Sequence, residues 1–300
     1  MREAARFIAA MNQAALAFPN IDPTIFALGP FAVRWYGIAY IVGILLGWWL
    51  ILQFLKNRKL WDPAPATADQ IGDLVVWIVI GIVVGGRIGW DLIYGTLLCS
   101  VSDPIAAFCL PAPGHDTLPM DFISHPLRII DVREGGMSFH GGLAGVVIAV
   151  WGYCKKHKLD VLKIADLIAL VAPIGLFFGR IANFVNGELW GRVTNVPWAM
   201  IFPHTDGQPR HPSQLYEAAL EGLLLFTLLQ LILRYTDARK KPGQIAGLFF
   251  LGYGVLRFIS EFFREPDGAF IGPVSMGMAL SIPLWIAALL FFHFSFKKNP

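Results

Sequence analysis

Charge is what this 300-residue chain has least of. Asp, Glu, Lys and Arg together make 15% of it, against about 25% in an ordinary soluble domain. Hydrophobic residues make 56%, and the two figures together exclude a soluble enzyme. Cysteine is also scarce: Cys99, Cys109 and Cys154 are the only three, none in CxxC spacing, which excludes a disulfide framework and a zinc site. There is no HExxH, no acidic metal-binding run and no GxSxG, so neither a metal-dependent nor a serine hydrolase is signalled. No metal or cofactor is expected. Basic residues exceed acidic ones only as 24 to 21 and are dispersed among apolar runs, which argues against a nucleic-acid partner.

What the chain has in quantity is apolar sequence, divided into runs close to the roughly 20 residues that a membrane-crossing helix needs. Seven runs are distinguishable, at 33–55, 71–90, 137–153, 161–185, 213–233, 244–263 and 275–296. The expected fold is therefore an all-α polytopic membrane protein with seven transmembrane helices in a single domain, 1–300. Residues 1–25, with Pro19 and Pro23, lack the pattern of a cleavable leader and read as an attached interfacial segment.

Lys and Arg mark cytoplasmic loops. Every lysine of the chain, from Lys56 and Lys59 through Lys155, Lys156, Lys158, Lys163, Lys240 and Lys241 to Lys297 and Lys298, follows the first, third, fifth or seventh run. The N-terminus is then outside and the C-terminus cytoplasmic. The polar, Pro/Gly-rich stretches 94–136, 186–212 and 264–274 fall on the outer side, so chemistry should face outward. Cys99 and Cys109 lie in the first of these, where an oxidising compartment would let a disulfide persist. Cys154 reads as a small buried residue.

Ionisable groups inside spans are costly unless they face a bundle interior or a watery cavity, which makes each a functional-site hypothesis. Here they gather at the outward ends of six spans: Arg34 and Tyr36; Arg87 and Asp91; His140; Arg180, Asn183, Asn186 and Glu188; His211, Glu217 and Glu221; Tyr253, Arg257, Glu261 and Arg264. Residues three or four apart share a helix face. Arg180, Asn183 and Asn186 thus form one polar stripe, stopped by Gly187, and Tyr253, Arg257 and Glu261 another. His140 is flanked by glycines that let a neighbour approach the backbone.

Each feature taken alone has a plainer reading. Arg257 with Glu261, and Arg87 with Asp91, are i,i+4 ion pairs; Asn183 and Asn186 are interhelical hydrogen-bonding residues. Tyr36 is an aromatic-belt residue, and HPSQLYE is a helix start with Pro212 in its first turn and a polar neighbour as cap. None of these explains the clustering at one depth. Guanidinium groups match phosphate geometry, and a histidine near neutral pKa can take a proton from a nucleophile. The residues point to a membrane-embedded transferase acting on an anionic phospholipid at the outer leaflet. A flippase or transporter and a cytoplasmic-side headgroup transferase are the alternatives; the first predicts inverted repeats and midplane charges, the second the opposite orientation.

The run GRIANFVNGELWG at 179–191 resembles the signature of bacterial prolipoprotein diacylglyceryl transferases. RWYG, SFHGG, HPSQLYE and YGVLRFISEFFREPD match the same family in the same order, so the resemblance extends from about residue 18 to 296. It implies transfer of an sn-1,2-diacylglyceryl group from phosphatidylglycerol to the lipobox cysteine of a prolipoprotein signal peptide, with glycerol phosphate released, at the bacterial inner membrane. It also implies catalytic roles for His140, Arg180, Arg257 and Glu261, and substrate-binding roles for Tyr36, Asn183, Asn186, Glu188, Gly191, Tyr253 and Arg264. Arg180 and Arg257 are then expected to clamp the phosphate and His140 to activate the thiol. The stretch 95–128 is extended relative to a compact member.

Overall fold

The computed structural model describes residues 15–19, 21–28, 31–61, 63–90, 137–203, 205–266, 269–271 and 274–298. Asp91, Cys99, Cys109 and the 94–136 stretch lie outside the described residues. Seven long helices lie among those described: α1 Trp35–Lys56, α2 Ala68–Gly89, α3 Phe139–Lys156, α4 Val161–Val185, α5 Ser213–Tyr235, α6 Gln244–Ser260 and α7 Met276–Lys298. Each coincides with one of the predicted apolar runs, displaced by a few residues at its ends. Five are long and apolar enough to cross a membrane: α1, α2, α4, α5 and α7. At 17 residues, α6 is shorter than those five, and α3 carries His140 at one end and Lys155 and Lys156 at the other.

Short strands, which the apolar periodicity did not signal, accompany the helices. Leu16–Ala17 (β1) runs parallel to Met200–Ile201 (β4), Thr24–Leu28 (β2) pairs antiparallel with Phe31–Arg34 (β3), and Ala269–Ile271 (β5) pairs with Val274–Ser275 (β6). The described part of the N-terminal segment is thus tied to the chain after α4, with Phe18 packed on Phe184 and Phe202.

The described residues fall into two compact units, drawn from Met1–Ala64 with Ala165–Pro300 and from Pro65–Ile164. The second unit is built on α2 and α3. Thr67 and Gln70 start α2 with reciprocal side-chain-to-backbone bonds, 3.2 Å and 2.9 Å, and Ser138 Oγ caps α3 by accepting from Gly141 N–H at 3.1 Å. Between the helices, Gly81, Gly85 and Gly89 face Gly141, Gly145 and Ala149. A Cβ on Gly85 would lie 2.9 Å from the Gly145 Cα, and one on Gly89 only 2.5 Å from that of Gly141. Two helices approach this closely only through small residues repeating every fourth position. Cys154 and Tyr153 are fully buried here, and Val147, Ile148 and Trp151 are exposed on the far face.

In the first unit α1 lies against α4, with Gly43 over Gly175 and Gly47 over Val171, and α6 lies against α7 through Gly247 on Phe292 and Gly254 on Trp285. A fully buried carboxylate fixes the start of α6: Asp166 of α4 accepts from Gly243 N–H at 2.7 Å and Ala246 N–H at 2.8 Å. Two of the N–H groups left without helical partners at that end are satisfied in this way. Outside, α5 and α7 show Leu223, Leu228, Leu231, Ile282, Ile286, Leu289 and Leu290. Inside lie Glu217, Glu221, Asp166, Gln230, Ser281 and Ser295, all buried. Apolar surface with a polar interior suits a protein whose solvent is hydrocarbon.

Candidate active site

The end of α4 is shaped by its own sequence. Gly187 stands just past the helix in the left-handed region, φ 66°, its N–H bonded to Phe184 O at 2.9 Å and the Glu188 N–H to Asn183 O at 3.1 Å. This pair of bonds is the glycine-terminated helix stop expected from the sequence, and it folds Glu188 back on the helix it follows. Asn183 Nδ2 donates to Glu188 Oε1 at 2.8 Å and Asn186 Nδ2 to the same oxygen at 3.3 Å. The two asparagines of the predicted stripe therefore close on Glu188, beyond the glycine that stops it.

The loop is then held by the start of α5. Ser213 Oγ donates to Leu189 O at 3.0 Å and Gln214 Nε2 to Glu188 O at 2.6 Å. Leu189 sits at φ 59°, a conformation that an L side chain adopts only when its surroundings hold it there. The HPSQLYE start differs from the expectation: Pro212 is itself the N-cap, no side chain caps the helix, and Ser213 spends its hydroxyl on the loop. At Gly191 three segments cross. Its N–H bonds His211 O at 2.9 Å, it bridges to Arg264, and a Cβ would lie 2.5 Å from Phe263 O, so only glycine fits.

Below this loop lies the charged cluster. Arg180 Nε is 2.7 Å from Glu217 Oε2, and its Nη2 is 3.2 Å from Glu221 Oε2. Arg257 Nη1 lies 3.4 Å from Glu217 Oε1 and 3.8 Å from Glu221 Oε1, while its Nη2 is ion-paired with Glu261 Oε1. Arg264 Nη1 completes the set at 3.5 Å from Glu217 Oε1. Ser260 Oγ donates to Glu221 at 3.2 Å and Ser275 Oγ to Glu261 at 2.6 Å. The carboxylates are at most 2% exposed and the guanidinium side chains 6–16%. Three arginines thus face three glutamates. Tyr253, one turn before Arg257, is within electrostatic reach of Arg180, Arg257, Glu217 and Glu221.

Arg180, Arg257, Glu261 and Arg264 are brought together as the sequence suggests, and Arg257 with Glu261 is indeed an i,i+4 pair, joined to a larger network. Tyr36 accepts from the Tyr40 hydroxyl at 3.3 Å, and the Tyr40 phenol is within electrostatic reach of Arg180 and Glu188. His140 occupies the first turn of α3 in the second unit, beside Phe139; Arg87, on α2 of that unit, is buried. Sequence reasoning noted Glu217 and Glu221 as ionisable but left them out of the site, and it passed over Ser260, Ser275 and Tyr40. The i,i+4 spacing of Glu217 with Glu221, and of Tyr36 with Tyr40, was the available signal. Glu217 immediately precedes a π-helical segment, Ala218–Leu224, which contains Glu221; such wide turns are rare and concentrate at functional sites.

Around the rim, Trp198 Nε1 donates to Tyr216 Oη at 2.6 Å, and His211 Nδ1 lies 3.1 Å from the same oxygen. His211 also packs edge-on against Phe263, and burial pushes its imidazole below the ordinary histidine value. Arg210 pairs with Glu265 at 3.0 Å and Asp206 at 3.2 Å.

Cations of planar, forked geometry held rigidly beside buried hydrogen-bonding groups can grip a phosphate and stabilise charge that develops on it. Comparison with known proteins points the same way. A family model described as prolipoprotein diacylglyceryl transferase matches residues 23–294. A phosphatidylglycerol-prolipoprotein diacylglyceryl transferase of Rhodospirillum rubrum is 48% identical over 290 residues, covering 95% of this chain and 96% of that protein. Proteins of the same name from Nitrobacter hamburgensis, 46% identical over 95% of this chain and 92% of theirs, and Allorhizobium ampelinum, 48% identical over 90% and 88%, are similar along nearly their whole length.

Proposed function

The chain belongs to the prolipoprotein diacylglyceryl transferase family, and from that premise we propose that it transfers the sn-1,2-diacylglyceryl group of phosphatidylglycerol to the thiol of a prolipoprotein's lipobox cysteine. The sulfur attacks the glyceryl carbon that bears the phosphate, a thioether forms, and the carbon-oxygen bond breaks with its electron pair on the departing glycerol 1-phosphate. This is the first step of bacterial lipoprotein maturation.

The observation that carries the reading is the convergence of Arg180, Arg257 and Arg264 in one buried cluster. Arg180 and Arg257 hold the phosphodiester and stabilise the negative charge that grows on its bridging oxygen as the bond breaks. Glu261 fixes Arg257 from the C-terminal end of α6, and Tyr253 and Arg264 border the same charges. Asn183, Asn186 and Glu188, locked to one another, set the loop whose crossing point is Gly191. Tyr36 contributes through its contact with Tyr40. His140 takes the thiol proton, since the thiolate is the nucleophile; this role rests on the resemblance of the SFHGG motif.

The same reading takes all seven helices as spans of one domain, 1–300, in the bacterial inner membrane, with residues 1–25 at the interface. The lysine distribution supports a cytoplasmic C-terminus and a site open to the outer leaflet.

The test is mass spectrometry of a lipobox peptide incubated with the purified protein and phosphatidylglycerol, beside an Arg180→Ala variant. The expected result is a gain of one diacylglyceryl unit on the cysteine, reduced at least about a hundredfold in the variant, as for loss of a group that stabilises transition-state charge. No adduct with the wild-type protein refutes the activity; undiminished transfer by Arg180→Ala refutes the clamp.

A further inference from the structure

The carboxylate at the centre of the cluster lies among the same guanidinium groups to which the proposed function assigns the phosphate. Glu217 is 1% exposed, and guanidinium nitrogens of Arg180, Arg257 and Arg264 lie 2.7, 3.4 and 3.5 Å from its oxygens. Among the described residues neither Glu217 oxygen takes part in a well-aligned hydrogen bond. Glu221 and Glu261, by contrast, accept from Ser260 and Ser275. Arg257 Nη1, which points to Glu217 and Glu221, is likewise without an aligned hydrogen-bond acceptor among the described residues.

The charge balance gives this geometry a consequence. Among the described residues, Glu217 is faced by Arg180 from α4, Glu221 on its own helix, Tyr253 and Arg257 from α6, and Arg264 just beyond it; Ser260 and Glu261 join the cluster through Glu221 and Arg257. Among the described residues the cluster sets three guanidinium groups against three carboxylates and is formally neutral. A phosphodiester held by Arg180 and Arg257 brings one negative charge more than the cluster can balance, in surroundings where excess charge is costly.

We propose that Glu217 is an internal counter-anion that competes with phosphate for the three arginines. It stabilises the guanidinium groups while the site is empty, and it weakens their hold on the headgroup of the lipid and on the phosphorylated product alike. The inference rests on the arginine clamp proposed above and adds to it a residue that tunes binding and release. A carboxylate that only braced the arginines would have the opposite effect when neutralised, because loosened guanidinium groups bind phosphate less well.

The test uses the full-length protein in detergent, with inorganic phosphate and glycerol 1-phosphate as inhibitors of peptide modification. Glu217→Gln keeps the shape and removes the charge. The expected result is a fall of at least about tenfold in the inhibition constants of both anions, from the loss of repulsion between neighbouring charges, with a lower KM for phosphatidylglycerol and a lower kcat as product leaves more slowly. Unchanged or raised inhibition constants overturn the proposal, as does an absence of inhibition in both wild type and variant. If Glu217→Gln does not fold, Glu217→Asp decides: it withdraws the carboxylate from the arginines, and a smaller fall in the same constants is required. Arg180→Gln and Arg257→Gln, read by direct equilibrium binding of glycerol 1-phosphate rather than by turnover, separate the layers of the inference. Binding that survives both unaltered refutes the clamp and the counter-anion together; binding lost in both, with inhibition not tightened in Glu217→Gln, refutes only the counter-anion.

Discussion

Replacing Arg257 by Met and Glu261 by Met, singly and together, separates what this ion pair does for the fold from what it does for catalysis. Glu261 is 2% exposed, and its partners among the described residues are Arg257 and the Ser275 hydroxyl at 2.6 Å. Arg257→Met leaves that carboxylate without its cation and the cluster with two arginines to three glutamates, a net buried negative charge. Removing one partner of a buried pair costs about 3–5 kcal/mol. Removing both restores the balance, two against two, and replacing a buried ion pair by packed apolar side chains is commonly neutral or stabilising by about 1–4 kcal/mol. Thermal unfolding in detergent should therefore show a large loss for Arg257→Met and recovery in the double variant. Peptide modification should be lost in both, because the phosphate loses one of its two principal holds. A single variant as stable as wild type would refute the burial reasoning. A double variant that regained activity along with stability would show that Arg257 acts on the fold alone.

Two further outcomes follow from groups outside the cluster. Asp166→Ala leaves the Gly243 and Ala246 N–H groups buried without their acceptor, at about 1–3 kcal/mol each, so the unfolding midpoint should fall well below wild type; an unchanged midpoint would mean that α6 does not depend on this cap. Burial lowers the His211 pKa in the folded protein, so below about pH 6.5, the ordinary histidine value, the unfolded chain binds the extra proton more readily. This contribution to stability is complete above that pH and is lost as pH falls towards the folded value. Unfolding midpoints measured between pH 7.5 and 5 should decline less in His211→Asn than in wild type, and parallel curves would contradict this.

The helices were legible because lipid imposes a length and an apolar composition that survive in any order of residues, and each of the seven runs overlaps one along most of its length. The polar stripe from Arg180 to Asn186 was legible because three-residue spacing on a helix is a statement about one face. What escaped was of two kinds. The strands Leu16–Ala17 and Met200–Ile201 are two residues long and are joined by backbone pairing across more than 180 positions, which leaves no periodic trace. The counter-charges Glu217 and Glu221 were visible as residues but not as partners, since pairing a guanidinium on one helix with carboxylates on another depends on packing. The HPSQLYE start illustrates the same limit: a polar side chain beside Pro212 was the expected cap, but none caps the helix, and Ser213 gives its hydroxyl to the Leu189 carbonyl.

The π-helical segment Ala218–Leu224 sets where α5 tolerates a change of length. Glu217 and Glu221 face the arginines towards one end of the helix, and Leu225, Leu229, Gln230 and Leu233 are buried towards the other. In an α-helix each residue advances the face by about 100°; the wide turns, bonded one residue further along, advance it by less. Deleting one residue inside Ala218–Leu224 would let the segment close to an ordinary α-helix and keep Glu217 and the buried leucines facing their partners. Deleting one between Leu225 and Leu229 has no such slack: it would leave hydropathy and helical propensity almost untouched while turning one half away from its partners. Loss of a single codon there would silence the protein while it still inserted into the membrane, a failure that a hydropathy profile would not register.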